Sequence, residues 1–269
     1  MQQLTRRISG FIFDQPLWVW VLLGSAISFF AFFIFPVFLN TEHVMQVFGY
    51  IPIKDPIGHD LTLTTSFSET WFVKHESPYN GLNLYPPLTM LVYTPLVFLR
   101  PTTAYKLFTL LNLFCFVLLG AWLPSKINKG KDAAVITVFF FISGMLSYGF
   151  QFELERGQYN VITFLLCLSA VYLFHYHPRQ RWLAYILFTL SIHLKVFPAI
   201  FVLMFIDNWR DWKAILKRMG LLFLLNLAAL FILGPQMVWD FINGVRLLGA
   251  ESSIFIWIVN NSISSFAEA

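Results

Sequence analysis

The stretch "LSIHLKVFPAIFVLMF", residues 190–205, places a lysine in the middle of an apolar run. An ammonium group buried in hydrocarbon costs about 2.5–3.5 kcal/mol, so Lys195 must be either wetted or paired. Pro198 cannot donate a backbone hydrogen bond and disfavours helix at the residue before it. We therefore predict two shorter segments broken at "HLKVFP", with His193 and Lys195 reaching a water-filled cavity at the break.

Composition places the chain in a lipid bilayer. Its 269 residues are 58% hydrophobic and 12% charged, with a mean hydropathy of +0.68, whereas soluble domains carry about 25% charged residues. Cys115 and Cys167 fall inside apolar runs and are interpreted as small core residues. No cysteine and histidine cluster has metal-ligand spacing, and no glycine-rich phosphate loop occurs. We assign no metal ligand and no cofactor and expect no nucleic-acid partner; binding of a divalent ion by the acidic insert, residues 40–83, stays open.

Seven apolar runs predict an all-α, polytopic transmembrane helical bundle in a single domain, residues 1–269. The runs cover residues 17–39, 84–99, 104–123, 133–150, 159–174, 182–206 and 215–233. The first run is long enough to span, and no small-x-small cleavage pattern follows it. This favours an uncleaved membrane anchor over the alternative, a signal peptide.

The charges between the runs predict the topology, because basic loops stay in the cytoplasm. The basic segments "SKINKGK", "HYHPRQR" and "DNWRDWKAILKR" all fall inside if two conditions hold. Residues 84–99, which contain three prolines, must be half-embedded without crossing, and residues 182–206 must form a broken pair. Every unusual polar motif then lies on the extracytoplasmic face.

Asp60, in "IGHDL", lies in the polar insert that follows the first run. As a general base, its carboxylate takes the proton of an attacking sugar hydroxyl within hydrogen-bond reach. The alternative is an ordinary exposed loop acid, and spacing alone leaves Asp55 and Glu69 equally eligible.

The segment "ELERGQYN" places Glu153, Glu155, Arg156, Gln158 and Asn160 at the mouth of an apolar run. The two amides are suited to binding hydroxyls, and the guanidinium is suited to holding a phosphate. Helix capping with a surface salt bridge explains the same residues. At the break, Lys195 with His193 is interpreted as a cation for a lipid-linked phosphate, with snorkelling to the interface as the alternative.

Six short motifs, taken in order, resemble the pattern of glycosyltransferase family 87, the polyprenyl-phosphate-mannose-dependent mannosyltransferases of the GT-C superfamily. That pattern is an Asp after the first span, then Pro-Tyr, Tyr-Pro-Pro-Leu, Gly-Gln-x-Asn, Lys-x-x-Pro and Asn-x-Ser. In this chain the motifs are Asp60, Pro78–Tyr79, Tyr85–Leu88, Gly157–Asn160, Lys195–Pro198 and Asn260–Ser262. The resemblance covers nearly the whole chain.

The resemblance implies a GT-C fold, in which a long first extracytoplasmic loop contains juxtamembrane helices. It implies a hexosyltransferase of the inner (plasma) membrane, surrounded by membrane lipids. This enzyme would transfer mannose from a polyprenyl-phosphate donor to a lipid or glycan hydroxyl, with inversion. Family members usually carry several more spans after the Asn-Ser motif. The chain is therefore expected to be a truncated copy or the N-terminal part of a split protein.

The resemblance also implies the role of each matching residue. Asp60 is the catalytic base, and Lys195 stabilises the leaving phosphate, with Arg156 as the second candidate. The remaining positions bind sugar or phosphate: Tyr85, Glu155, Gln158, Asn160, His193, Asn261 and Ser262.

Two other functions remain open. A transporter or flippase of lipid-linked sugars also uses broken helices with a central charge, although the chain lacks the paired half-repeats typical of transporters. A non-catalytic enzyme remnant is the third possibility, and complementation by a separately expressed C-terminal partner would separate it from the enzyme.

Overall fold

The computed structural model describes residues 17–29, 58–79, 83–127 and 133–250. Within these ranges every regular element is a helix, which confirms the predicted all-α class. The α-helices are α1 (Leu17–Phe29), α2 (His59–Phe72), α3 (Pro87–Val97), α4 (Pro101–Val117), α5 (Leu123–Ile127), α6 (Ala133–Met145), α7 (Tyr148–Arg156), α8 (Asn160–Tyr176), α9 (Arg181–Leu194), α10 (Trp212–Leu230) and α11 (Pro235–Ala250). A π-helical turn covers Leu118–Trp122, and 3₁₀ helices cover Pro178–Gln180 and Phe197–Phe205.

These helices belong to two compact units. The first unit comprises Met1–Thr62 and Leu99–Phe188, as far as those ranges are described. The second comprises the described parts of Leu63–Phe98 and Thr189–Ala269. Helices α2 and α9 each begin in the first unit and end in the second. Each unit is considered by itself below.

Helix α4 continues through the π-helical turn into α5 and forms the clearest candidate membrane span. The continuous helix Pro101–Ile127 has 27 residues and is long and apolar enough to cross a bilayer. Helices α6 and α7, bent by 50°, and helices α10 and α11, bent by 94°, each pass the same test as a pair. The described residues therefore contain one to three candidate spans by length and composition.

The apolar run 133–150, expected to form one segment, is instead two helices that meet at Ser147. The backbone of Ser147 is extended, with φ −68° and ψ 143°. Its hydroxyl accepts a hydrogen bond from the Phe150 N–H at 3.2 Å and donates one to the Gly144 carbonyl at 2.6 Å. A serine in this position caps a helix N-terminus, so it ends α6 and starts α7 within an apolar run.

Stacked aromatic rings form the core of the first unit. The rings of Phe116 and Phe150 stack with centroids 4.2 Å apart, and Phe141 tilts against Phe116 at 5.3 Å. A Cβ atom on Gly24 of α1 would overlap the Phe141 ring, and one on Gly120 would lie 3.2 Å from it. The two glycines therefore let neighbouring helices close around a single buried ring.

In the second unit, the short helix α3 packs against α10 and α11. Its 11 residues include Pro95 and extend about 16 Å, well short of the roughly 30 Å hydrocarbon core. This length agrees with the prediction that residues 84–99 do not cross. Around the helix, Tyr79, Met90 and Met237 form a buried cluster.

The predicted break in residues 190–205 is confirmed. Helix α9 ends at Leu194, and a 3₁₀ helix starts at Phe197 with Pro198 in its first turn. The Lys195 N–H donates to the Ser191 carbonyl at 3.1 Å, which is the last bond of the α9 ladder. The lysine therefore lies immediately after the helix end.

We expect Gly24→Ala to lower the thermal unfolding temperature of the detergent-solubilised protein. The new methyl group overlaps the buried Phe141 ring, and overpacking of this kind costs about 1–3 kcal/mol. Gly220→Ala is the matched control, because no described atom lies within 4 Å of its Cβ position and alanine is the better helix former. Equal unfolding temperatures for the two variants would contradict this packing of α1.

Candidate functional site

Two glycines bring distant segments of sequence together in the first unit. Gly157 ends helix α7 in the left-handed conformation, with φ 68°. A Cβ atom there would lie 2.8 Å from the Leu61 Cβ and 3.4 Å from the Gly58 Cα. The Gly58 N–H donates to the Glu155 carbonyl at 2.8 Å. The start of α2 therefore lies directly against the loop between α7 and α8.

This approach allows four side chains to form a continuous set of hydrogen bonds, here called the polar network: Asp60, Gln158, Asn160 and Glu153. Gln158 Nε2 donates to Asp60 Oδ2 at 2.7 Å. Asn160 Nδ2 donates to Gln158 Oε1 at 2.7 Å and to Glu153 Oε2 at 2.6 Å. Asp60, Gln158 and Asn160 are half-buried. The structure thus joins three of the residues predicted from sequence.

The sequence placed Glu153 at the mouth of the apolar run together with Glu155, but gave it no substrate-binding role. It is only 3% exposed, and its Oε1 accepts a hydrogen bond from the Val161 N–H at 3.0 Å in the first turn of α8. Sequence offers no signal that separates this glutamate from Glu155, because the difference lies in tertiary contacts.

Asn112 is a second residue that the sequence reasoning missed. It is fully buried in α4, and its Nδ2 donates to the Gln158 carbonyl at 2.9 Å. A signal for it exists, because an asparagine inside the apolar run 104–123 is a costly residue that indicates a role. Asn112 fixes the backbone of the residue that contacts Asp60.

The capping and salt-bridge explanation of "ELERGQYN" also has support. Glu153 caps α8 through Val161, and Arg156 Nε lies 3.0 Å from Glu155 Oε2. The Arg156 guanidinium carbon also lies 5.1 Å from the centroid of the Phe152 ring. Both explanations therefore describe the same segment, and the structure divides them between different residues.

Two of the three acids that spacing left eligible are described, and of these two the structure joins Asp60 to a second polar motif. Glu69 lies 3.7 Å from Lys74 Nζ on an exposed part of α2. Asp55 lies outside the described residues. A half-buried carboxylate with one oxygen held by an amide N–H is suited to taking a proton from a hydroxyl.

In the second unit, Lys195 is paired with an aromatic ring. Its Nζ lies 5.2 Å from the centroid of the Tyr85 ring, a cation–π distance. The Tyr79 hydroxyl donates to the Tyr85 carbonyl at 2.7 Å. Burial, with a smaller effect of the Asp240 carboxylate, raises the pKa of Tyr79, so its hydroxyl stays protonated as a donor. This contact answers how a lysine is accommodated in an apolar segment.

His193, only 5% exposed, ties the end of α9 to its neighbours within the second unit. Its Nε2 lies 3.1 Å from the Asn226 carbonyl, which assigns the proton to Nε2 because a carbonyl can only accept. Its own carbonyl accepts from the Thr89 hydroxyl at 2.7 Å. These bonds orient the residue that precedes the break, and substrate binding by His193 stays a prediction.

The predicted ligands Asn261 and Ser262 lie outside the described residues. Within the described ranges, no group of three or more His, Cys, Asp and Glu side chains is arranged to hold a metal ion.

A family model of glycosyltransferase family 87 matches residues 83–268, more than half of the chain. The chain belongs to glycosyltransferase family 87. No curated protein and no solved structure matches it. The family match and the apolar helices make the chain a membrane glycosyltransferase with donor and acceptor substrates. The matched range includes Tyr85, Gln158 and Lys195. It begins after Asp60, but Asp60 is hydrogen-bonded to Gln158, which lies within the range.

We expect Gly157→Ala in this family 87 member to lower the unfolding temperature, because its left-handed backbone and the nearby Leu61 both oppose a Cβ atom. The combined cost is about 2–4 kcal/mol. Gly149→Ala, eight residues earlier in a helix with open space around it, should be neutral or stabilising. An unfolding temperature for Gly157→Ala as high as that of Gly149→Ala would rule out the close approach.

Proposed function

We propose that this family 87 member transfers mannose from a polyprenyl-phosphate donor to a hydroxyl of a lipid or glycan, with inversion. We place the reaction on the extracytoplasmic face of the inner (plasma) membrane, with Asp60 as the catalytic base. The observation that carries the proposal is the 2.7 Å hydrogen bond between Gln158 Nε2 and Asp60 Oδ2. It joins Asp60, in the first turn of α2, to the family's Gly-Gln-x-Asn motif.

The proposed reaction is a single displacement. The acceptor oxygen attacks the anomeric carbon, and the bond from that carbon to the phosphate oxygen breaks. The electron pair of that bond stays on the phosphate, and the proton of the acceptor hydroxyl passes to Asp60. Attack opposite the leaving group inverts the anomeric carbon.

The two amides of the polar network are suited to holding sugar hydroxyls. Gln158 uses one N–H on Asp60 and has a second N–H for an incoming oxygen. Asn160 donates both of its N–H groups inside the network, so its Oδ1 is the atom that accepts from a hydroxyl. A donor beside an acceptor matches a hydroxyl, which both donates and accepts.

Lys195 is the proposed partner of the leaving phosphate. An ammonium group stabilises the negative charge that develops on the phosphate as the sugar departs. Arg156 is the weaker candidate, because the Glu155 carboxylate 3.0 Å away offsets its charge. Tyr85 holds the ammonium of Lys195 by its ring, which supports its place among the proposed site residues.

We expect Asp60→Asn to abolish most transfer of radiolabelled mannose from polyprenyl-phosphate-mannose by membranes that contain the protein. The amide keeps the size and the Gln158 contact but cannot take a proton, so the rate should fall about 10²–10⁴-fold. Glu69→Gln removes an exposed acid from the same helix and should leave the rate unchanged. Native rates in Asp60→Asn at equal protein levels would exclude Asp60 as the base.

We expect Lys195→Met to lower the transfer rate at saturating donor by about 10²-fold, because the leaving phosphate loses its cation. Methionine keeps most of the apolar stem, and Lys195→Arg should retain part of the activity. Lys213→Met is the control, since that lysine also lies over a ring, 5.8 Å from the centroid of Trp212, on the exposed start of α10. Similar rates in the two methionine variants would argue against a role for Lys195.

A further inference from the structure

The buried carboxylate of Glu153 meets a hydrogen-bond donor at each of its two oxygens. Oε1 accepts from the Val161 N–H at 3.0 Å, and Oε2 accepts from Asn160 Nδ2 at 2.6 Å. An amide side chain has only one oxygen, so it would turn its own N–H toward one of these donors. At 3% exposure, water cannot easily relieve such a conflict. The position therefore requires a carboxylate.

A carboxylate at Glu153 sets the direction of the whole polar network. Asn160 must turn its NH₂ group toward Glu153, because its oxygen would otherwise face another acceptor at 2.6 Å. The same NH₂ group donates to Gln158 Oε1 at 2.7 Å, which leaves Gln158 Nε2 to donate to Asp60. Turning over the amide of Asn160 or of Gln158 alone would place two oxygens against each other. Only one direction of the network therefore gives every hydrogen-bond donor an acceptor.

We propose that Glu153 is a positioning residue that acts through Asn160 and Gln158 to keep an N–H donor on Asp60. The inference rests on the proposed role of Asp60 as the base. An N–H held on Oδ2 fixes the orientation of the carboxylate, so that its other oxygen can face the acceptor hydroxyl. Glu153 therefore orients the Asp60 carboxylate through two intervening side chains, Asn160 and Gln158.

A swap of amide and carboxylate tests the direction of the network. In Glu153→Gln, one N–H meets a donor, and the unfolding temperature should fall by about 2–4 °C. Adding Asn160→Asp lets the new amide donate to the new carboxylate and accept from the Val161 N–H. Gln158 must then donate to the new carboxylate and turn its oxygen toward Asp60, so the clash of two oxygens moves to that end of the network and the lost stability should not return.

Asp60→Asn, introduced into both backgrounds, shows which way Gln158 faces. In the native background the new amide oxygen still accepts from Gln158, so the unfolding temperature should stay the same or fall. In the swapped background the new amide should donate to the reversed Gln158 oxygen, and the unfolding temperature should rise by about 2–4 °C. Glu69→Gln is the control and should have the same effect in both backgrounds.

Two results would overturn the proposal. One is an identical effect of Asp60→Asn in the two backgrounds, since additive effects mean that the sites are not coupled. The other is a combined Glu153→Gln and Asn160→Asp variant as stable as the native protein, since Gln158 would then face Asp60 with its oxygen at no cost. These measurements need no sugar transfer. If the native protein transfers no mannose, the proposed function is wrong. The direction of the network is still tested by the unfolding temperatures of these variants.

Discussion

The close approach of Gly157 to the first turn of helix α2 is the contact on which the polar network depends. The missing Cβ atom lets the backbone of Glu155 accept the Gly58 N–H at 2.8 Å. That bond places Asp60 within reach of Gln158, 98 residues away in sequence. The left-handed turn at Gly157 also lets α8 begin at Asn160, so two amides follow the turn directly.

A polar network inside an apolar protein is stable only when its donors and acceptors are matched, because an unmatched buried group costs about 1–3 kcal/mol. Glu153 meets this condition with a donor on each oxygen. Asn112 adds a bond to the Gln158 carbonyl at 2.9 Å. Since such bonds strengthen one another in a low dielectric, the network specifies one arrangement more than it adds net stability.

The sequence predicted the structural effect of a missing backbone N–H, but it did not predict which partners the side chains hydrogen-bond. Pro198 predicted the break after Leu194 because a missing N–H acts wherever the residue lies. Ser147 was missed, since a serine in an apolar run becomes a helix cap only when its hydroxyl finds the Phe150 N–H. Glu153 could not be told from its neighbouring glutamate for the same reason: partners such as Val161 are set by the tertiary fold.

The polar network of the first unit and Lys195 of the second unit suit different chemical groups. The polar network contains two carboxylates, Asp60 and Glu153, which repel a phosphate but accept hydrogen bonds from hydroxyls. Lys195 in the second unit lies on the face of Tyr85, and an aromatic ring stabilises an ammonium group without neutralising it. These charges support the proposed roles of Asp60 toward the hydroxyl and of Lys195 toward the phosphate.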